Sequence, residues 1–469
     1  MKKGDKLENL YIETMAAEGK CVAKFDGMVV FLKGGAPGDT VEAIIDKAKK
    51  NFAEARVTRI LKESPQRTTP FCHHFGTCGG CTWQHINYET QLQYKQQQVI
   101  DNLERIGGLS LPAIHPILGS NHIREYRNKL DFTFTHSRWL TWEELQTDAI
   151  KSPGLGYHIP RMFDKVFDVS ECHLQPTPSN EIRLHLKKVA LAMNIPFFNL
   201  RSQEGFLRTV TIRSTSSCDV MVILQITENK KDWIEALLQS LADQFPQLTS
   251  INYVVNNKKN DTFHDLEVIT WRGNPYITEL MPKATGKGNL QFRVGPKSFY
   301  QTNSTQAYHL YKVAWQMAKL NGDELVYDLY TGTGTIANFV AGNSKKVIGL
   351  EYVPAAIEDA KVNSQINGIA NTEFFAGDIK DLLDESFMEQ HGRPDVIITD
   401  PPRAGMHEDV CNMILKAAPQ RIVYVSCNPA TQARDLKILS EKYDIVEVQP
   451  VDMFPHTMHV ENVVSLHIK

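Results

Sequence analysis

The sequence predicts a multidomain α/β protein: a small β-barrel comes first, an α+β unit follows, and a doubly wound seven-stranded sheet ends the chain. Three observations carry this. Short β segments punctuated by glycine turns fill residues 1–62, a glycine-rich cysteine cluster occupies residues 72–81, and strands and helices alternate strictly from about Phe292. Strict alternation builds a parallel sheet, because each crossover helix returns the chain to the same sheet edge. A chain of 469 residues also exceeds what one hydrophobic core covers, so two to four domains are expected.

Composition narrows the class. Hydrophobic residues make up 42% and charged residues 22%, and the mean hydropathy is -0.30. No apolar run is long enough to span a bilayer, and the N-terminal Met-Lys-Lys-Gly-Asp-Lys has no apolar stretch behind it to make a secretory signal. A cytoplasmic protein without a membrane partner is expected. Its eight cysteines then point to metal or catalytic roles, since a reducing compartment disfavours disulfides. A formal net charge of -3 excludes a uniformly basic nucleic-acid binder. Any such binding relies on a local patch, and Lys47, Lys49, Lys50, Arg56, Arg59, Lys62 and Arg67 supply one, partly offset by Asp46, Glu54 and Glu63.

Segments 7–14, 20–25, 28–32, 40–47 and 54–61 are separated by Gly19, Asp26-Gly27, Gly34-Gly35 and Pro37-Gly38, and a barrel is their natural closure. The pattern resembles the TRAM-type OB fold found on RNA-modifying enzymes. OB barrels take up single-stranded nucleic acid, which gives the basic patch a role. Next, Cys72, Cys78 and Cys81 form a C-x5-C-x2-C cluster with Gly76, Gly79 and Gly80. Three thiolates on such a loop converge on one centre, with Cys172 the best candidate for the fourth ligand. Spacing leaves iron-sulfur and zinc both open, zinc with His73, His74 or His173 as further ligands. Residues 85–107 read as a helix ending at Gly107-Gly108. From 120 to 290, β segments at 130–135, 208–214, 220–226, 251–255 and 267–271 mix with helices at 180–193 and 231–244, without an evident reaction centre.

The chemistry gathers in the last third. Strands are expected at 324–329, 346–350, 372–376, 395–399, 421–426, 445–451 and 462–467, with helices such as 355–366 and 409–418 between them. Asp328-Leu-Tyr-Thr-Gly332-Thr-Gly334-Thr follows the first strand. With Ala337 it fits a dinucleotide fingerprint, while Asp328 ahead of the glycines favours S-adenosylmethionine, whose ammonium pairs with a carboxylate. Glu351 ends the second strand and suits a ribose diol; Asp378, after the third, reaches the adenine region. Asp400-Pro-Pro-Arg403 ends the fourth strand and Cys427 the fifth. An antiparallel last strand brings Glu461, at its start, to the same edge. A thiolate, a carboxylate and a methyl donor together point to pyrimidine C5 methylation: C5 is a poor nucleophile until a thiolate adds to C6, and a base must then remove the C5 proton.

Phe299-Tyr-Gln301-Thr-Asn303, Asp328-Leu-Tyr-Thr-Gly-Thr-Gly, Asp400-Pro-Pro-Arg-Ala-Gly, Val425-Ser-Cys427-Asn-Pro-Ala-Thr and Asp452-Met-Phe-Pro-His-Thr-Met-His-Val-Glu461 together resemble the S-adenosylmethionine-dependent RNA 5-methyluridine methyltransferases. The likeness extends over nearly the whole chain to the iron-sulfur subgroup that modifies 23S ribosomal RNA. It implies a TRAM/OB-like RNA-binding barrel over 1–62, a central domain with iron-sulfur cysteines over 63–290, and a Rossmann-like class I methyltransferase domain over 291–469, with residues 85–120 packed on the catalytic domain. It also implies Cys427 as nucleophile and Glu461 as base. Gln301, Asp328, Tyr330, Gly332, Gly334, Thr335, Glu351, Asp378 and Asp400 would bind S-adenosylmethionine, and Phe299, Gln301 and Asp400 would face the extruded uracil. Cys72, Cys78, Cys81 and Cys172 would hold a 4Fe-4S cluster with a structural or RNA-recognition role.

The implied partner is RNA, with 23S ribosomal RNA first and the T-loop of transfer RNA as the alternative, acted on by a monomer. Thr331 stands where relatives often have cysteine, and 137–152, with Trp139 and Trp142, looks like an insertion that alters RNA contacts. Two further readings are weaker. Cytosine C5 methylation fits poorly with Ser-Cys-Asn-Pro around Cys427, and an inactive RNA-binding module fits poorly with the intact set Asp328, Asp400, Cys427 and Glu461.

Overall fold

The computed structural model describes residues 1–16 and 19–469. Strands β1 (Lys6–Met15), β2 (Cys21–Phe25), β3 (Met28–Lys33), β4 (Thr40–Ala48) and β5 (Phe52–Lys62) close into a barrel in the order β1-β2-β3-β5-β4. Alternation puts Leu10, Ile12, Val30, Leu32, Val41, Ile45 and Ala55 inside it. Asp26 and Gly27 join β2 to β3 with φ of 47° and 77°, the double positive φ of a two-residue hairpin turn whose twist matches the strands. The five expected strands are all present.

The basic face of the barrel is smaller than expected. Arg56 pairs with Asp46 and Arg59 with Glu42 at 3.9 Å. Arg67 does not belong to the face at all: its guanidinium grips the fully buried Asp39 through bonds of 2.8 and 2.7 Å. Backbone N–H groups of Ser64 and Ala36 occupy the same carboxylate. A buried charge requires that degree of satisfaction.

Helix α1 (Tyr88–Asp101), capped by Asn87, runs on through one π-helical turn at Asn102–Ile106. Beyond it come β6 (Lys129–Thr135), β7 (Gly154–His158), β8 (Val166–Asp168), α2 (Ser179–Ala192), β9 (Leu207–Ser214), β10 (Val220–Ile226), α3 (Lys231–Gln244), β11 (Ser250–Val255) and β12 (Ile269–Gly273). They form one sheet ordered β12-β11-β10-β9-β6-β7-β8. Strands β7 and β8 escape the sequence reading because β7 carries two glycines and β8 is only three residues long. A side chain at Gly156 would lie 2.0 Å from the Phe167 carbonyl, so the close approach of these strands demands glycine there. The 137–152 segment is pinned at its base, where Arg138 N–H donates to Ser152 and Trp139 N–H to Val166. Trp142 stays exposed.

The remainder comprises the hairpin β13 (Ile277–Pro282) and β14 (Asn289–Val294), α4 (Ser304–Ala318), β15 (Leu325–Leu329), α5 (Thr335–Val340), β16 (Lys346–Glu351), α6 (Pro354–Ile366), β17 (Thr372–Ala376), α7 (Ile379–Leu382), α8 (Glu385–His391), β18 (Val396–Thr399), α9 (Glu408–Ala417), β19 (Arg421–Ser426), α10 (Pro429–Leu439), β20 (Tyr443–Val451) and β21 (Glu461–Ile468). Its sheet runs β17-β16-β15-β18-β19-β21-β20, with β21 antiparallel to both neighbours. This is the doubly wound sheet with the expected seven strands. Strand order reverses between β15 and β18, which opens a ligand crevice at their carboxyl ends. Helix α10 begins directly after Asn428, as strict alternation implies. Proline there starts the helix, because its fixed φ suits the first position, and Asn428 caps it. Among the described residues, no helix is long and apolar enough to cross a membrane.

Extensive apolar contact joins these units. Met221, Ile223 and Val254 of the middle sheet share a core with Ile277, Phe292 and Val326, while Val99 and Leu103 bury against Tyr327, Leu350 and Leu436. One ion pair reinforces the second contact. Lys95 and Asp452, both 0% exposed, meet at 2.6 Å, and Lys95 also donates to the Phe454 carbonyl at 3.0 Å. Removing one partner strands the other charge in the core. Lys95→Met should therefore cost about 3–5 kcal/mol, and adding Asp452→Asn should recover part of it, as thermal denaturation of the two variants will register.

Candidate active site

Three strand ends meet at the crevice. The parallel pairing Thr399↔Tyr424 sets Asp400 beside the end of β19, and the antiparallel pairing Ser426↔Asn462 sets Cys427 opposite Glu461. A thiol and a carboxylate far apart in sequence are thus brought together by one register. The turn after the thiol has a second anchor besides β21: the Asn428 amide donates to the Arg403 carbonyl at 3.0 Å, and Thr431 Oγ1 donates to the same oxygen at 3.2 Å.

Burial dominates the electrostatics. It pushes the Cys427 thiol up to about 11, with Glu461 and Asp400 adding to the rise and Arg403 opposing it. Burial likewise raises Glu461 to about 8, again with Asp400 adding and Arg403 opposing, and Asp400 to about 7. A carboxyl that titrates near neutrality is suited to take a proton and give it up again.

The glycine turn after β15 is built to admit a ligand. Tyr330 adopts φ 62°, a left-handed conformation that costs a non-glycine residue energy and clusters at functional sites. At Gly332 (φ 55°) an added Cβ would meet nothing within 4 Å, whereas at Gly334 (φ 75°) it would press on Ala360 at 2.9 Å. Gly332 thus leaves room for a ligand, and Gly334 permits helix packing. Asp328 uses one oxygen to brace this turn, accepting from the Ala337 N–H at 3.0 Å and from the Thr331 hydroxyl. Its other oxygen is buried without a partner, and burial raises the group to about 7.

Glu351 accepts from Gly332 N–H and Val353 N–H on separate oxygens. Gly377 N–H donates to the Glu351 carbonyl, which places Asp378, the cap of α7, alongside. Thr335 is buried 3.3 Å from the Thr333 hydroxyl. Gln301 is anchored through its carbonyl by Asn128, and Phe299 stands 66% exposed at the mouth. An orphaned carboxylate oxygen, an open glycine and a strand-end glutamate fit the ammonium, methionine backbone and ribose of S-adenosylmethionine.

A family model for tRNA (Uracil-5-)-methyltransferase matches residues 199–469, more than half of the chain, and a TRAM-domain model matches residues 8–58. The chain belongs to the tRNA (uracil-5-)-methyltransferase family. An uncharacterized RNA methyltransferase of Bacteroides thetaiotaomicron is 55% identical over 97% of this chain and 100% of its own length. Another, of Chlorobaculum tepidum, is 39% identical over 98% of this chain and 96% of its own. Among solved structures, the Pyrococcus abyssi tRNA (uracil-54, C5)-methyltransferase in complex with S-adenosyl-L-homocysteine superposes with a TM-score of 0.74 at 29% identity, covering 98% of this chain and 100% of that one.

In this uracil-5-methyltransferase, two further side chains, Tyr311 and Arg403, reach the centre, and Tyr311 has no motif to announce it. Tyr311 of α4 is buried where Asp400, Asp328, Gln301 and Glu461 converge, and burial foremost, then those carboxylates, lifts its hydroxyl far above the ordinary range. Helical periodicity marks it only as core. Arg403 ends the Asp400-Pro-Pro-Arg403 turn, and its guanidinium opposes the rise of both Cys427 and Glu461. Arg403→Ala should therefore move the thiol pKa upward, and the pH dependence of Cys427 alkylation will show a shift to the alkaline side.

The cysteine loop of this family member lies between barrel and middle sheet. Among the described residues, no three Cys, His, Asp or Glu side chains converge as ligands of a single ion. The sulfurs are still neighbours: burial raises Cys72, Cys78 and Cys81, the last to about 12, and the other cluster thiols, Cys172 among them, add to each rise. His73 and His74 both turn to the Ser170 hydroxyl, at 3.1 and 2.8 Å, and away from a zinc-ligand role. Beside this loop a cavity of about 1100 Å³ opens, bordered by Lys33, Phe75, His85, Arg161 and Met458.

Proposed function

We propose that this chain methylates carbon 5 of a uridine in 23S ribosomal RNA with S-adenosylmethionine. The observation that carries the reading is the register pairing that sets Cys427 opposite Glu461 beside Asp400. Cys427 gives up its proton to solvent and its thiolate bonds to C6 of the uracil, and the C5–C6 electron pair shifts toward O4. When bound, S-adenosylmethionine would supply an electrophilic sulfonium methyl to C5, its S–CH3 bond breaking to leave the neutral thioether S-adenosylhomocysteine. Glu461 then removes the C5 proton; those electrons restore the C5–C6 double bond and expel the Cys427 thiolate. Asp328, Gly332, Thr335, Glu351 and Asp378 hold the cofactor, with Tyr330 against its adenosine side. Gln301 and Asp400 fix the polar edge of the base while Phe299 covers its face.

In the same proposal, Cys72, Cys78, Cys81 and Cys172 bind a 4Fe-4S cluster. The glycine-rich loop bearing Cys72, Cys78 and Cys81, with Cys172 adding to the rise of each of their thiols, supports a shared ligand set for such a cluster. RNA enters between the barrel and the cysteine loop, where Lys33 and Arg161 border the cavity. A second reading, uridine 54 of transfer RNA, is favoured by the full-length likeness to the Pyrococcus abyssi enzyme. Tritium release from RNA labelled at uridine C5 decides between them when ribosomal and transfer RNA fractions lacking the modification are assayed separately. Release from ribosomal RNA alone is expected. Release from neither fraction would overturn uracil C5 chemistry.

A further inference from the structure

The segment 452–461 carries the proposed base, yet it contains no helix or strand before β21 begins at Glu461. A stretch of that kind takes its shape from its partners. Asn303 holds the Met453 carbonyl at 3.0 Å and the Tyr126 hydroxyl holds that of Pro455 at 3.0 Å. The densest set of bonds falls on His456. Its carbonyl accepts both the Thr82 N–H at 2.8 Å and the Trp83 N–H at 3.0 Å. Its own N–H donates to Gln91 Oε1 at 2.9 Å, and its Nδ1 accepts from Gln91 Nε2 at 3.2 Å. Gln91, 0% exposed, donates also to the carbonyls of Trp83 and Ile86. One buried amide thus ties the chain just after Cys81 to the chain just before Glu461. His456 meets these partners at φ 64°, a conformation an L-residue keeps only when its surroundings enforce it.

We propose that the cysteine loop positions the catalytic base: Thr82, Trp83 and Gln91 clamp His456, and through it they set Glu461 against Cys427. This rests on the roles of Cys427 and Glu461 proposed above. Cys81 directly precedes Thr82, so whatever orders the cysteines also orders the two N–H groups on His456. Cys427 depends on none of this, being anchored through Asn428, Thr431 and Arg403. Loosening the clamp therefore slows removal of the C5 proton and spares addition of the thiol. His456 and Gln91 act as positioning residues, and a small displacement of a reacting group suffices for a large loss in rate.

The test compares His456→Ala with His456→Asn in the full-length holoenzyme. Asparagine tolerates positive φ and offers an oxygen to Gln91. The alanine variant should lose kcat by about tenfold or more, keep KM for RNA within about twofold, and accumulate the covalent RNA–protein adduct on denaturing gels. The asparagine variant should regain kcat to within about threefold of wild type and clear the adduct. Normal turnover by the alanine variant would overturn the proposal, as would parallel loss of adduct and turnover. Hydrogen exchange in Cys81→Ser provides a reading independent of turnover: amides of 456–461 should exchange faster while those of α10 do not, and unchanged exchange at 456–461 would also overturn it. Glu461→Gln is run alongside. If that variant traps the adduct and His456→Ala does not, only the clamp is lost; if Glu461→Gln traps none, the mechanism itself is wrong.

Discussion

Cys427→Ala abolishes methyl transfer, with an expected loss on the order of 10⁴-fold or more, and it forms no covalent complex with RNA. Cys427 is the thiol at the carboxyl end of β19 that faces the carboxylates of Asp400 and Glu461. In the proposed reaction Cys427 is the thiol at this edge, among the described residues, that adds to C6, and without that addition C5 has no electron pair to offer a methyl group. The fold should survive, because Cys427 is only half-buried and neither of its anchoring bonds uses its side chain. Methyl incorporation into unmodified RNA measures the first claim and denaturing gels the second. Wild-type turnover by the alanine variant would remove the thiol from the mechanism.

Glu461→Gln separates the two halves of the reaction. The amide cannot take the C5 proton, so the Cys427 adduct forms and persists while multiple turnover falls, by roughly 10²–10⁴-fold. Absence of adduct would assign Glu461 another role. The same substitution tests the electrostatics. Burial raises Glu461 from 4.5 to about 8, so between those values the native state holds a proton that the unfolded chain has released. Stability therefore falls as pH rises through this window, and above it the protein carries a buried charge with an unfavourable contribution on the order of 2–4 kcal/mol. Free of RNA and cofactor, Glu461→Gln should melt a few degrees higher than wild type at pH 8.5, and at pH 5 the gain should largely vanish. Asp400 acts in the same direction, since burial raises it to about 7.

The site was legible where chemistry and strand ends coincide. Asp328, Asp400 and Cys427 each follow a short apolar run, and such runs announce interior strands whose carboxyl ends collect ligands. Glu461 needed one further step, the antiparallel sense of the last strand, and the pairing Ser426↔Asn462 bears that sense out. Tyr311 was invisible because a tyrosine at helical spacing looks like core, and it is core. Arg67 misled in the opposite direction: in sequence it completes a basic run, whereas in space it is committed to Asp39 across 28 positions. Strand β7 was missed because glycine, there for steric room, weakens the apolar alternation by which strands are recognised, and β8 because three residues show no alternation.

By itself the sequence determined the barrel, the alternating C-terminal sheet and the residue types proposed for the chemistry, because period, turn residues and motif order are properties of neighbours along the chain. Only the tertiary structure decided that Lys95 neutralises Asp452 from 357 positions away, that Gln91 holds His456 from 365 positions away, and that the cysteine loop abuts the segment leading to Glu461. The physical reason is burial. A charge or amide removed from water must find its partner wherever packing provides one, and no local pattern records where that is.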